Sequence, residues 1–197
     1  MKKHAITGLA MLASLGAWAD ERPMQFLAGV DYTYGGDKLY KAIYKSGDTQ
    51  DITAGGTYAF QVGANYPIGR YTDLQLTIGL HTVSTNANNG KIAFTRYPIE
   101  LLGFYQFSDY FRLGGGFRQS LGASSTTSGA ASNLSSYDFK SSMGGVVEMQ
   151  YLFRPDRPTF DKNALTLRFA TENFTTQSNS PVRVNGNHWG LGLAFYR

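Results

Sequence analysis

The chain has no cysteine. That excludes disulfide staples and thiolate metal sites, and leaves backbone pairing and side-chain packing to hold the fold. It also lacks any run of the roughly 18–20 uninterrupted apolar residues that a membrane-spanning helix needs. The nearest candidate is the start, where Lys2, Lys3 and His4 precede a short apolar run over 5–16 and Ala17-Trp18-Ala19 precedes Asp20. This pattern predicts an export leader over 1–19, cleaved before Asp20, with one domain over 20–197. A strong charge of either sign is missing too. Without Lys2 and Lys3 the 18 basic residues fall to 16, against 14 acids. That balance is too even for the concentrated basic face that nucleic acid requires. Histidine is scarce, and beyond the leader only His81 and His188 remain.

Glycine (23 residues) and Tyr plus Phe (13 each) are abundant instead, which suits strands with aromatic girdles better than a soluble core. The stretch 188–197 is the most informative. Trp189, Leu191, Leu193 and Phe195 alternate with His188, Gly190, Gly192, Ala194 and Tyr196, a period-2 strand with a bulky face and a slim one. A strand in that place leaves an open edge unless the first strand pairs with it, and that pairing closes a barrel.

The same alternation recurs over 24–34, 57–66, 71–82, 92–107, 111–118, 137–153 and 164–172. Eight strands result, joined by long polar connections (35–56, 84–91, 122–136, 173–187) alternating with shorter turns (67–70, 108–110, 154–163). Pro98 cannot donate a ladder hydrogen bond, so a bulge or twist is expected there. The fold class is all-β: an eight-stranded antiparallel up-and-down barrel. A soluble barrel of the lipocalin kind is the rival, and the charges decide between them. The bulky face carries no ionic residue, whereas the slim face carries Asp31, Asp73, Arg96, Glu100, Arg112, Arg118, Asp138, Lys140, Glu148, Arg168 and Glu172. A membrane barrel turns the bulky set to lipid and keeps charge inside, so the expected location is a bacterial outer membrane.

At this point the sequence resembles the small outer-membrane barrels of the OmpA membrane domain, OmpX and opacity-type families, over essentially the whole exported length. The resemblance rests on strand count, loop parity and the terminal pattern His188, Gly190, Leu193 and Phe195, beyond which stand Tyr196 and Arg197. It implies that this pattern serves as the assembly signal read by the barrel-assembly machinery. These families share no single activity.

Arg118 and Glu100 should face each other across the turn at 108–110, as should Glu148 and Arg168 across 154–163. With Arg96, Arg112 and Glu172 they form a candidate charge network that plugs the lumen. An eight-stranded lumen is just wide enough for side chains, which argues against a porin-like channel. His81 and Ser84 are the candidates for lipid-modifying chemistry of the lipid A deacylase type, although an extended strand points them to opposite faces. No cofactor or metal is expected. Asp37, Asp48 and Asp51 match no calcium spacing, and the glycine runs at 55–56 and 114–116 lack the Lys-Ser or Lys-Thr of a phosphate loop. Expected partners are outer-membrane lipid, lipopolysaccharide and an extracellular ligand reached through the loops. Phosphates of lipopolysaccharide would meet Lys38, Lys41, Lys45, Lys91 and Arg183. The reading favoured is a non-catalytic barrel with a plugged lumen and long outer loops, serving envelope integrity or surface recognition. The alternatives are an outer-membrane lipid-modifying enzyme and a small channel.

Overall fold

The computed structural model describes residues 22–44, 46–87, 90–129, 136–153 and 162–197. The expected leader and its cleavage site, Lys45, and the turn holding Pro155 and Pro158 lie outside the described residues. The described residues form thirteen strands: β1 (Gln25–Gly35), β2 (Lys38–Ile43), β3 (Thr49–Thr53), β4 (Thr57–Gly69), β5 (Thr72–Ala87), β6 (Gly90–Gln106), β7 (Phe111–Gly129), β8 (Tyr137–Ser141), β9 (Gly144–Phe153), β10 (Lys162–Ala170), β11 (Asn173–Thr176), β12 (Arg183–Asn185) and β13 (His188–Tyr196). The long strands pair antiparallel in the order β1, β4, β5, β6, β7, β9, β10, β13 and back to β1. The result is a closed barrel of eight staves, because β8, β11 and β12 continue the staves begun by β9, β10 and β13.

Alternation in the sequence becomes alternation across the wall. In β1, Gln25, Leu27, Asp31 and Thr33 are buried, while Phe26, Tyr32 and Tyr34 are exposed. The seam runs from Leu27 opposite Tyr196 to Gly35 opposite His188. Beyond it the Phe26 amide donates to the Arg197 carbonyl at 2.7 Å and the Arg197 amide donates back at 2.9 Å. Both termini of the barrel therefore share the end that carries the short turns. The opposite end, called the loop end below, carries the longer connections.

Four departures from the sequence expectation all fall at the loop end. First, β5 and β6 run straight through most of 84–91, because pairing there buries Val83, Ile92 and Phe94. Second, β7 extends to Gly129, so the first half of the supposed loop 122–136 is strand. The register between β6 and β7 shifts between Arg96 and Pro98, where Leu121 and Gly122 together oppose Tyr97. This two-against-one bulge sits where Pro98 lacks a donor. Third, the sixth stave breaks between β8 and β9, and the break reverses its faces. Phe139 turns inward, while Asp138 and Lys140, expected in the lumen, point out to solvent. Fourth, the first connection is not a solvated loop. Strands β2 and β3 form their own two-stranded sheet, and the end of β3 with the residue after it folds into the barrel mouth, burying Ile52 and Ala54 completely. Strands β11 and β12 likewise lie in what the sequence presents as a polar loop over 173–187.

Candidate functional site

The barrel interior has three layers. At the turn end, Arg112 donates Nη1–H to Asp73 at 2.9 Å and Nε–H to Gln150 at 2.8 Å. Arg22 reaches the other oxygen of Asp73 at 3.2 Å. The Arg112 guanidinium lies 4.5 Å from the Phe104 ring centre and 4.7 Å from that of Tyr196. The Tyr196 hydroxyl contacts Gln75 and Gln150, so the residue beyond the terminal aromatic helps to fill the lumen.

The middle layer is ionic. Arg118 and Arg168 both donate to Glu100, one to each carboxylate oxygen. Arg118 also donates to Glu172 at 3.0 Å, and Arg168 approaches Asp31 at 3.5 Å and Glu148 at 3.7 Å. Gln150 donates to Glu148 at 2.5 Å and thereby joins this layer to the one below. The cross-strand pairs Glu100 opposite Arg118 and Glu148 opposite Arg168 place these groups side by side. Glu172 arrives differently: it sits in the break between β10 and β11, where it also accepts from the Ser120 amide at 2.9 Å and the Ser141 hydroxyl at 2.5 Å. Gly190, opposite Arg168, leaves the room that the Arg168 stem occupies.

The third layer, nearest the loop end, combines two histidines, one arginine and an apolar cap. His81 Nδ1 receives Arg96 Nη2 at 2.7 Å, and Arg96 Nε and Arg118 Nη2 approach it at 3.2 and 3.3 Å. Only a lone pair tolerates three such donors. His81 is therefore the neutral tautomer with its proton on Nε2, donated to the Thr33 hydroxyl at 2.8 Å. His188 packs edge-on against it at 4.9 Å and donates Nδ1–H to the Gly186 carbonyl at 2.8 Å. Arg96 Nη1 donates to the carbonyl of Ala54. Above Arg96, Phe94, Phe139 and Phe174 meet edge to face and pack with Ile52, Ala54, Val83 and Ile92. Alternation does not announce this cap: Phe139 falls on the face of strand 137–153 expected to meet lipid, and Phe174 falls in 173–187, whose composition reads as loop.

His81 and Ser84 are not brought together: His81 is buried in the lumen and Ser84 lies exposed on the other face of β5. Nor is Thr33 activated by His81, because the imidazole donates to that hydroxyl instead of accepting from it. Of the cationic residues placed near lipid phosphate, Lys38 is already paired with Asp51 at 2.5 Å. Of the terminal pattern, His188 and Gly190 face the lumen, and Leu193 and Phe195 face out.

The outer surface inverts the usual polarity. Leu76, Leu101 and Phe117 are 54%, 43% and 64% exposed, whereas Arg118 and Glu148 are 2% and 1%. An apolar belt of this kind needs lipid, and a closed sheet presents no open edge to it. The chain is a transmembrane β-barrel. No family model matches the sequence, and no curated protein matches it. Among solved structures, the barrel is similar to Ail, the attachment invasion locus protein of Yersinia pestis, crystallised with the heparin analogue sucrose octasulfate. That match has 11% identity and a TM-score of 0.49, over 88% of this chain and 97% of that one. It is also similar to the outer membrane protein AlkL in lipid bilayers (15% identity, TM-score 0.46, 91% of this chain and 92% of that one). A third is the outer membrane protein OprG from Pseudomonas aeruginosa (14% identity, TM-score 0.44, 91% and 98%).

Proposed function

We propose that this barrel is a closed, non-catalytic surface protein that recognises an extracellular ligand or supports the envelope through its loop end. The observation that supports this reading is the set of side chains that meet inside the barrel. Ion pairs occupy the middle and an apolar cap occupies the loop end, so side chains block the axis at successive levels. A water-filled path would have to cross both. Among the described residues no base and nucleophile converge, since both nitrogens of His81 are engaged by arginine and threonine. Recognition falls to the segments outside the membrane, which carry Lys38, Lys41, Lys91 and Arg183 where lipopolysaccharide phosphates or an outside partner could meet them.

Planar-bilayer recording tests the closed lumen. The wild-type barrel should give no discrete conductance steps, and the Glu100→Ala/Arg118→Ala double variant should give them by emptying the middle layer. Steps from the wild type would overturn the reading. For recognition, replacing 130–135 by a Gly-Ser linker should leave the barrel folded and alter surface binding or stress resistance. The window stops short of 123–125, which pair with β8.

A further inference from the structure

Arg96 is the anomaly of the interior. It is completely buried, yet among the described residues no carboxylate lies within ion-pairing distance of it, while Arg112, Arg118 and Arg168 each have at least one. Its hydrogen-bond acceptors are neutral, the His81 nitrogen and the Ala54 carbonyl. The rings of Phe94 and Phe174 stand 5.8 and 5.2 Å from its guanidinium carbon. A buried charge normally carries a counter-charge, because desolvation costs several kcal/mol per ion. Arg96 instead holds one uncharged carbonyl oxygen where a counter-ion would sit.

That oxygen belongs to a segment tied to the wall at its two roots and not by a ladder: the Gly55 amide donates to the Gly35 carbonyl of β1 at 3.2 Å, and the Asp37 amide to the Asn185 carbonyl of β12 at 2.7 Å. The β2–β3 hairpin forms no ladder with any stave. Between those roots, side chains make the contacts with the wall, such as Tyr40 with Ser125 at 3.1 Å and Gln50 with the Ser84 carbonyl at 3.5 Å. Glycine pairs mark both roots, Gly35-Gly36 and Gly55-Gly56, and Gly36 adopts φ +76°, which residues with a Cβ rarely take. Ile52 sits in the three-phenylalanine cluster while Ala54 caps the cation, so the segment presents an oxygen and an aliphatic group to an apolar pocket floored by a guanidinium.

We propose that the Arg96 pocket is a binding site for a compact amphiphilic carboxylate, with the segment at Ile52–Ala54 as its built-in placeholder. The ligand's carboxylate replaces the Ala54 carbonyl on Arg96 in a charge-assisted pair, and its short aliphatic or aromatic body replaces Ile52 among Phe94, Phe139 and Phe174. The hairpin swings out about its roots, and the Gly55–Gly35 hydrogen bond opens with it. This deepens the reading of the barrel as a closed surface receptor and rests on it, since the ionic layer beneath stays shut.

The test uses the full barrel in lipid nanodiscs, titrated with sodium hexanoate, hexanol and hexylamine and followed by NMR at the Arg96 Nε–H and the Ala54 amide. Hexanoate should shift both signals saturably, and the neutral and cationic analogues should act at least tenfold more weakly. Arg96→Met should weaken the hexanoate response at the Ala54 amide at least tenfold, and Arg96→Lys should restore most of it. Because the chain has no cysteine, Gln50→Cys and Ser84→Cys joined by a short bis-maleimide should pin the hairpin and abolish the response. Equal responses to hexanoate and hexanol, or no shift at either reporter, overturn the proposal even if Arg96→Met fails to fold. Bilayer recordings with hexanoate separate the two readings. Saturable binding with silent recordings supports both. Binding with discrete steps keeps the site and removes the closed lumen, and silence without binding does the reverse.

Discussion

Glu100 takes one hydrogen bond from each of two guanidinium groups, so removing its carboxylate strands two buried cations at once. Breaking a buried pair from one side costs about 3–5 kcal/mol, mostly the penalty of the charge left behind. Glu100→Ala should therefore lower stability in urea titrations of the vesicle-inserted barrel by about that amount. Replacement of Asp51, whose partner Lys38 stands in solvent, should leave the same titration unchanged. The hydrogen bond from Lys38 to Asp51 raises the lysine above its ordinary value. A raised cation keeps its contribution at every lower pH and loses it only as pH climbs past the lysine range, so this pair brings no pH dependence near neutrality. A loss in Glu100→Ala no larger than that of Asp51→Asn would show that the middle layer is not a coupled network.

At the scale of strands, the bulge in β7 decides which side chains enter the cap. Leu121 and Gly122 share one position opposite Tyr97, so Ser120 and Ala123 both face inward although three residues apart. Deleting Gly122 should restore plain alternation with the same faces and give a barrel that still migrates as folded on unheated gels. Deleting Gly115 from the regular part of β7 should reverse one flank and abolish that migration. The opposite pair of results would place the bulge elsewhere. The same feature marks how far the sequence could be read. Staves near the turn end follow strict period 2, and there the inner and outer sets, the seam and the facing of Glu100 with Arg118 follow from alternation alone. Asp138, Lys140 and Phe139 were assigned to the wrong faces because a break at Ser142 and Met143 shifts the parity, and nothing in those residue types announces it. Segment 35–56 reads as a solvated loop from its lysines, aspartates and glycines. Its inward anchor is two residues, Ile52 and Ala54, too few to register as periodicity. Asp31 and Asp73 are legible as lumen charges but not as partners of Arg168 and Arg112, since each meeting reaches past an intervening stave, β13 or β6, instead of joining adjacent strands.

For the whole molecule, the inverted surface makes a spectroscopic prediction. Trp18 lies in the expected leader, leaving Trp189 as the tryptophan of the exported chain. Trp189 is 58% exposed on the outer wall and packs on Phe169 at 4.7 Å. Brominated phospholipids should quench its fluorescence strongly, most when bromine lies high on the acyl chain near the interface where tryptophan concentrates. An unquenched signal would mean that the wall does not face lipid. The seam between β1 and β13 carries a consequence of another kind. Partners such as Leu27 and Tyr196 lie almost a full chain length apart, and contacts so distant in sequence are slow to form. Until the last stave arrives, the first offers an uncovered ladder of donors and acceptors to any passing strand. Delivery must therefore finish before the circle can shut, and that edge stays open to mispairing throughout the wait.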